Sequence, residues 1–352
     1  MTTLQPRNSA EMPIAVITGA TGALGPTLVE RLLTCGYRVR VLVRHSSLPG
    51  HLADTVELRQ GSVTERQILD QLVAGADVVF HLAAKLHINN PAPELQAEYQ
   101  AINVDGTRYL AEAAQAAGVR RLVFFSTISV YGPTEPGQVW DESSPPQPRT
   151  FYAQTKRDAE AVVLGTRQAN SDVPLAVVLR LAAVYGPRVK GNYARLVSAL
   201  RRRLFVPLGS GHNRRTLVYD QDVVTAALLA AKHPEAAGRV YNVTDGQIHT
   251  FTNIIAAICQ ALACSPPRYH LPVAPFRLLA AALEDGLRLL GRQSPIGRGT
   301  IQKMLEDVAV SGEKIQRELH FRPAFDLNTG WQQSTLEVAG SRSPVPKDAI
   351  GS

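Results

Sequence analysis

The stretch IAVITGATGALG, residues 14–25, joins a short apolar run to a glycine-rich turn that opens a helical pattern. Its three glycines have the spacing GxxGxxG. At the start of a helix, backbone amides and the helix dipole can hold a pyrophosphate, and residues without a Cβ let the chain approach it closely. The stretch therefore predicts a dinucleotide-binding loop whose contacts are Gly19, Thr21, Gly22, Ala23, Leu24 and Gly25.

Short β-branched runs alternate with longer helical patterns through the first half of the chain. This alternation predicts an α/β fold, a doubly wound parallel sheet of Rossmann type with helices on both faces. The predicted strands cover residues 14–18, 38–43, 56–59, 78–81, 121–126 and 175–181. The predicted helices cover residues 23–35, 65–73, 94–117 and 152–168.

The second half of the chain lacks this strict alternation, although one more strand is predicted at residues 239–243. Ligands of doubly wound folds bind at the carboxyl edge of the sheet, so we expect a smaller lobe to cover that edge. We predict a nucleotide-binding domain at residues 12–186 and 216–246, a substrate-binding lobe at 187–215 and 247–335, and flexible tails at 1–11 and 340–352.

Composition argues for an ordinary globular protein, with 352 residues of which 45% are hydrophobic and 19% charged. The three cysteines include no CxxC pair, which argues against a disulfide framework or a structural zinc site, and we expect no metal and a reducing cytoplasm. The net charge of +7 suits an anionic ligand. Because the basic residues are scattered and few aromatics lie among them, nucleic-acid binding is not expected, and the run at 201–203 is interpreted as a solvated helix end.

Residues 271–290 are apolar enough to raise the question of a membrane span. Four charged residues interrupt this segment, so no membrane span is predicted. We expect an amphipathic helix packed on the protein rather than one lying on a bilayer. The interrupting residues are Arg277, Glu284, Asp285 and Arg288.

The second predicted strand ends in Arg44, where NAD enzymes of this architecture usually carry an acid for the adenosine ribose. A guanidinium with Ser46 and Ser47 nearby would suit the 2′-phosphate of NADP, which an acid would repel. The pattern favours NADP and leaves NAD possible. The alternative is an exposed arginine that only ends a strand.

Tyr152 and Lys156 lie four residues apart in FYAQTK, on one face of a predicted helix. We expect the lysine ammonium to lower the pKa of the phenol and, with the cofactor's positive nicotinamide ring, to let Tyr152 exchange a proton with a substrate hydroxyl near neutral pH. Upstream, Ser126 and Thr127 end a strand at the sheet's carboxyl edge, where a hydroxyl can orient the same substrate oxygen.

With the glycine loop and YxxxK, several further motifs resemble the extended short-chain dehydrogenase/reductase family over residues 12–335. They are HLAA at 81–84, NVDGT at 103–107, VYG at 130–132, VYGP at 184–187 and YNVTDG at 241–246. The resemblance implies a catalytic triad of Thr127, Tyr152 and Lys156, with Tyr152 and Lys156 also at the cofactor. It further implies cofactor contacts at Ser62, Val63, Leu82, Ala83, Ala84 and Asn103, and a homodimer formed by the two longest helices.

Departures from the family pattern narrow the expected activity. The 4,6-dehydratases carry an Asp-Glu pair directly after the catalytic threonine, where this chain has Ile128 and Ser129, so dehydration is not expected. The acidic residue that usually contacts adenine is replaced by Ser62. Met304 stands where 4-epimerases commonly have a phosphate-binding arginine, while the nearby acid, Asp307, is kept.

Four residues of the second half are predicted to bind substrate: Lys190, Asn192, Arg215 and Asp307. Cations and an amide would suit a diphosphate, and Arg215 matches the family's phosphate-binding arginine in its position relative to Asp222. The neighbouring Arg214 fits a solvated loop charge better. The sequence around these substrate residues most resembles that of enzymes acting on UDP-sugars, namely 4-ketoreductases and some 4-epimerases.

The expected function is therefore NADP-preferring hydride transfer at C4 of a UDP-sugar, in the manner of a 4-keto reductase. Three alternatives stay open at this point. They are a UDP-sugar 4-epimerase that keeps NAD tightly bound, a 3β-hydroxysteroid-type dehydrogenase with an apolar pocket, and a non-catalytic cofactor-sensing module. The last would normally have lost Tyr152 or Lys156, and this chain keeps both.

Overall fold

A seven-stranded parallel sheet forms the centre of the protein in the computed structural model, which describes residues 12–44, 48–86, 92–189, 191–289, 301–302 and 305–340. Its strands are β1 (Ile14–Thr18), β2 (Arg38–Val43), β3 (Glu57–Gln60), β4 (Val78–His81), β5 (Arg121–Thr127), β6 (Ala176–Leu181) and β10 (Val240–Val243). The order across the sheet is β3-β2-β1-β4-β5-β6-β10. Because the order reverses at β1, the carboxyl edge beside β1 and β4 is the expected ligand crevice.

Four short strands lie outside the main sheet: β7 (Ala183–Tyr185), β8 (Arg214–Arg215), β9 (Leu217–Tyr219) and β11 (His249–Thr250). The helices of the first half are α1 (Gly25–Thr34), α2 (Gly50–Ala53), α3 (Arg66–Val73), α4 (Pro93–Gln100), α5 (Gly106–Ala116) and α6 (Phe151–Gly165). Those of the second half are α7 (Asn192–Arg201), α8 (Asp220–Lys232), α9 (Phe251–Ala261), α10 (Val273–Leu289), α11 (Glu313–Glu318) and α12 (Leu327–Gly340).

The central strands are buried on both faces, which explains why their sequences are apolar runs rather than alternating patterns. On one face, α1 packs against α8. On the other, α3, α5 and α6 pack side by side. The α/β fold with a Rossmann-type parallel sheet is confirmed.

A third apolar cluster joins α7, α9 and α12 beyond the sheet. Tyr185 and Trp331 stack at its centre, with ring centroids 4.5 Å apart. β10 pairs with β6, so part of the second half extends the main sheet. The domain boundaries themselves stay a prediction.

The helix predicted at 94–117 is confirmed as a continuous helical stretch in which a π-helical segment, Ala101–Asp105, joins α4 to α5. The wider turn of this segment was not predicted from the sequence. Within the described residues, no helix is both long enough and apolar enough to cross a membrane. The predicted tails, apart from Gly340, and the residues Ser46, Ser47, Lys190 and Met304 lie outside the described residues.

Candidate active site

The glycine loop between β1 and α1 leaves no room for a side chain at Gly19 or Gly25. A Cβ on Gly19, whose φ is +77°, would lie 2.6 Å from the backbone nitrogen of Ala83. A Cβ on Gly25 would lie 2.0 Å from the backbone oxygen of Ala20. The loop therefore packs directly on the segment that follows β4, and its form fits the pyrophosphate of a dinucleotide.

The other predicted cofactor residues lie along the same edge of the sheet. Thr21, Ala23 and Leu24 belong to the glycine loop, and residues 82–84 follow β4 directly. Arg44 is exposed at the carboxyl end of β2, and its carbonyl oxygen accepts from Nε2 of Gln60 at 3.2 Å. The ligand contacts of all these residues stay predictions.

The turn after β3 is organised by its own side chains. The Ser62 backbone nitrogen donates to Oε1 of Glu65 at 2.8 Å, and the Ser62 hydroxyl lies 2.9 Å from that of Thr64. Val63 is buried, and a Cβ on Gly106 would meet its Cγ2 at 2.8 Å. Ser62 thus places a hydroxyl group where extended short-chain dehydrogenases/reductases usually carry an acidic residue.

Asn103 lies buried in the π-helical segment and clamps the chain after β4. Its Oδ1 accepts from the Lys85 backbone nitrogen at 2.7 Å, and its Nδ2 donates to the Lys85 carbonyl at 3.2 Å. Nδ2 also donates to the hydroxyl of Thr155 at 3.0 Å, and that hydroxyl donates to the Tyr152 carbonyl at 2.9 Å. The amide therefore connects the predicted cofactor edge to the helix that carries Tyr152.

A chain of hydrogen bonds through buried His81 stabilises the same region. Oγ1 of Thr107 donates to the Asn103 carbonyl at 2.7 Å, so it accepts from Nε2–H of His81 at 2.9 Å. Nδ1 of His81 then accepts from Thr18 at 2.6 Å. Burial lowers the pKa of His81 to about 3, and the charge of Lys156 adds to that shift, so the imidazole is neutral at physiological pH.

The predicted triad positions lie on two neighbouring elements, β5 and α6. Thr127 ends β5, and Tyr152 lies in the first turn of α6, which packs against β5. The Thr127 hydroxyl donates to the hydroxyl of Ser129 at 3.1 Å and accepts from the Ser129 backbone nitrogen at 3.1 Å. To orient a substrate oxygen, this hydroxyl would have to turn its proton away from Ser129.

The protein groups alone do not lower the pKa of Tyr152, and the expected joint effect of Lys156 and the nicotinamide ring stays a prediction. Burial raises the pKa of Tyr152 well above its ordinary value, and the neighbouring Tyr99 adds to the increase. The phenol is half-buried and loses hydration that would stabilise a phenolate. Tyr152 is therefore held as a neutral phenol, the form that can donate a proton.

Lys156 is almost completely buried, and its Nζ lies 3.9 Å from the centroid of the Phe124 ring. Burial lowers the pKa of Lys156 to about 7, while the negative charge of Glu160 opposes the shift. Glu160 lies one helical turn further along α6. Lys156 is thus a buried amine whose charge changes near neutral pH.

A buried ion pair lies behind Lys156. Arg180 on β6 donates to both carboxylate oxygens of Glu160, with the shortest bond at 2.6 Å. The hydroxyl of Ser126 donates to the same carboxylate at 2.5 Å. Sequence reasoning missed this group, although an arginine inside the buried strand AVVLRL is itself a signal that a buried partner is required.

The predicted substrate residues separate into two kinds. Nε of Arg214 pairs with Oδ2 of Asp307 at 2.8 Å, and the Arg214 backbone nitrogen donates to Oδ1 at 2.6 Å. This carboxylate therefore joins two distant parts of the lobe, and Arg214 is a structural residue rather than a solvated loop charge. The ligand role of Asp307 stays a prediction.

Arg215 is half-buried in β8, which pairs with β11. Burial raises the pKa of Tyr193 to about 12, and the charge of Arg215 opposes that shift, so the two side chains are near one another. Asn192 is exposed at the start of α7. Their predicted contacts with a diphosphate are not tested by this arrangement.

Comparison with known proteins agrees with the fold and the motifs. The profile of the NAD dependent epimerase/dehydratase family matches residues 15–244. UDP-glucose 4-epimerase of Vibrio cholerae is 29% identical over 333 residues, covering 92% of this chain and 95% of that protein. The 3 beta-hydroxysteroid dehydrogenase/Delta 5-->4-isomerase of Mycobacterium tuberculosis is 28% identical over 330 residues, covering 90% and 88%.

The structure of UDP-glucose 4-epimerase from Thermotoga maritima, solved with UDP-glucose, superposes with a TM-score of 0.73. The two chains are 21% identical, and the match covers 93% of this chain and 99% of that one. At this identity the likeness supports the fold alone. Because the family profile spans well over half of the sequence and includes the glycine loop and the YxxxK helix, this chain belongs to the NAD dependent epimerase/dehydratase family and is an NAD(P)-dependent enzyme.

Proposed function

We propose that the enzyme is an NADP-preferring oxidoreductase that reduces a keto group at C4 of a UDP-sugar. The observation that carries this proposal is the placement of Thr127 and Tyr152 at the sheet edge that also holds the glycine loop. The substrate type is supported by similarity to a UDP-glucose 4-epimerase and by the cation Arg215 in the second half of the chain. The expected homodimer and cytoplasmic location stay predictions.

The residues of the chain would divide the chemistry as follows. When bound, NADPH would supply the hydride for the carbonyl carbon. Tyr152, held as a neutral phenol, would donate its proton to the carbonyl oxygen, and Thr127 would orient that oxygen. Lys156, with a pKa near 7, would supply the positive charge that stabilises the resulting tyrosinate.

The choice of a reductase over an epimerase depends on Arg44. Net reduction consumes NADPH, whereas an epimerase regenerates its NAD within each cycle. An exposed guanidinium at the end of β2, in place of an acid, favours the 2′-phosphate of NADP. The epimerase with tightly held NAD is the alternative if this preference is absent.

Replacing Arg44 with aspartate is expected to shift the cofactor preference from NADP toward NAD by about one to two orders of magnitude, because repulsion replaces attraction at the 2′-phosphate. Fluorescence titration of both cofactors measures the ratio of the two dissociation constants. Arg38→Asp is the matched control, since Arg38 is exposed at the opposite end of the same strand. Equal affinity of the unmodified protein for both cofactors contradicts the NADP assignment and favours the epimerase.

Arg215→Ala is expected to weaken UDP binding about ten- to a hundredfold, because one charge-assisted contact with the diphosphate is lost. Calorimetry with UDP and, separately, with NADP measures the affinity of the substrate site and of the cofactor site. NADP affinity should stay unchanged. Arg239→Ala is the control, since Arg239 is exposed just before β10, at the amino end of the sheet.

The steroid-type dehydrogenase is the second candidate, because a relative of that kind matches almost as well as the epimerase. Both would use the same three catalytic positions, so activity of the triad does not separate them. Binding of a uridine nucleotide distinguishes the UDP-sugar enzyme from the steroid-type dehydrogenase. An unmodified protein that binds NADP but not UDP contradicts the nucleotide-sugar proposal and supports the steroid-type enzyme.

A further inference from the structure

Helix α10 (Val273–Leu289) has an apolar face that points outward. Leu278 and Leu279 are 74% and 68% exposed, and Leu283 is 46% exposed. These positions lie on one side of the helix at spacings of one and five residues. Ala280, on the other side of the helix, is buried, and Phe276 is half-buried. The helix therefore packs on the protein, as expected from the sequence, but its solvent face carries these leucines beside exposed Arg277 and Asp285.

A neighbouring segment extends this apolar surface. The backbone nitrogen of Leu271 donates to the Pro207 carbonyl at 2.9 Å, and that of Gly209 donates to the Leu271 carbonyl at 2.9 Å. The segment before α10 therefore runs parallel to the segment after α7. We call the exposed apolar residues of these two segments and of α10 together the apolar patch. It consists of Leu204, Val206, Tyr269, Leu278, Leu279 and Leu283, of which Leu204 is 75% and Tyr269 80% exposed.

Arginines accompany the apolar patch on the same segments. Three lie at and just after the end of α7, immediately before Leu204, one precedes Tyr269, and one lies in the first turns of α10. The nearby acids on α10 are half-buried Glu284 and exposed Asp285. On these segments, exposed arginines therefore outnumber acidic residues. The arginines, all exposed, are Arg201, Arg202, Arg203, Arg268 and Arg277.

The combination of exposed apolar residues and arginines favours some binding partners of the apolar patch over others. Two copies of the chain meeting through the same patch would bring the arginines of both copies together, which opposes association. An anionic bilayer offers phosphate groups for the guanidinium groups and an apolar boundary for the leucines. An exposed tyrosine beside apolar side chains also suits the interface between lipid and water.

We propose that the apolar patch docks the enzyme onto an anionic lipid bilayer surface. The leucines of α10 enter the boundary between headgroups and acyl chains, and the surrounding arginines bind lipid phosphates. The attachment is peripheral and needs no spanning segment. It is independent of the reaction proposed above, because none of its residues is placed in the predicted cofactor or substrate sites.

The experiment is vesicle flotation of the full chain, with phosphatidylcholine vesicles compared with vesicles that also contain phosphatidylglycerol. The unmodified protein is expected to float with the anionic vesicles and to be released by high salt. Leu278→Asp should lower the partition coefficient at least about tenfold, because a charge replaces an apolar side chain at the lipid boundary. Leu336→Asp is the matched control, since Leu336 is similarly exposed on α12, and it should change nothing.

A second pair of variants tests the charges. Arg202→Glu is expected to weaken binding to the anionic vesicles by about fivefold or more, whereas Arg167→Glu, at an exposed position between α6 and β6, should have no effect. Circular dichroism checks that each variant is folded. The proposal is wrong if the unmodified protein does not float with anionic vesicles, or if it binds both vesicle types equally. It is also wrong if Leu278→Asp changes only the oligomeric state measured by light scattering.

Discussion

Replacing Tyr152 with phenylalanine is expected to lower turnover by about 10²–10⁴-fold, because the change removes the hydroxyl that would transfer the proton. The ring remains, so packing in the first turn of α6 is kept. Cofactor affinity and the free energy of unfolding should stay close to those of the unmodified enzyme. Steady-state kinetics with a UDP-4-keto-sugar and NADPH measures the effect, with calorimetry for NADP on the same preparation.

Tyr109→Phe is the matched control for this prediction. Tyr109 is half-buried on α5, and it contacts Arg66 through its ring, whose centroid lies 4.0 Å from the guanidinium carbon. The Tyr109→Phe variant loses a tyrosine hydroxyl away from the triad, so the turnover of this variant should equal that of the unmodified enzyme. Near-normal turnover of Tyr152→Phe would show that another group transfers the proton. It would leave the family assignment intact, because that rests on the sequence match.

The second large effect is on stability. Arg180→Leu is expected to lower the free energy of unfolding by about 3–5 kcal/mol, because it leaves the buried Glu160 carboxylate without its partner. The double variant with Glu160→Leu should recover much of this loss, since both charges are then removed. Urea denaturation followed by circular dichroism measures both quantities.

An exposed ion pair on the same helix provides the control. Arg157 pairs with Asp158 at 2.7 Å, but both side chains are more than two-fifths exposed. Arg157→Leu should therefore cost only about 0–1 kcal/mol. A loss for Arg180→Leu no larger than that of the control would mean that Glu160 is stabilised without its arginine. A double variant as unstable as the single one would mean that packing, rather than charge, causes the loss.

Much of the fold could be predicted because its signals are local. Each central strand is an apolar run, and each βα turn near the site carries glycine or a small polar residue. The strand predictions at β1, β2 and β4 agree with the structure residue for residue. The π-helical segment Ala101–Asp105 lies inside the helix predicted at 94–117, and its wider turn was not predicted.

The site was predictable only in part, for a related reason. The spacing of Tyr152 and Lys156 is a property of one helix, so their shared position follows from the sequence. The protonation states of these two side chains do not follow from the sequence. The pKa of Tyr152 is raised because neighbouring segments remove water from the phenol, and no pattern of nearby residues reports that loss.

The family, the parallel sheet and the residues at its carboxyl edge follow from local sequence patterns, because strand periodicity and motif spacing act over a few residues. Which charges pair and which apolar surfaces stay uncovered depends on how the segments pack in the folded protein. Arg214 contacts Asp307 across 93 positions of the chain, and Arg180 meets Glu160 only when β6 packs beside α6. From the sequence, the leucines of α10 fit an ordinary amphipathic helix. Only the folded structure shows that some of them are exposed. The physical reason is that burial, and with it the cost of a charge or the exposure of a leucine, depends on contacts between segments distant in sequence.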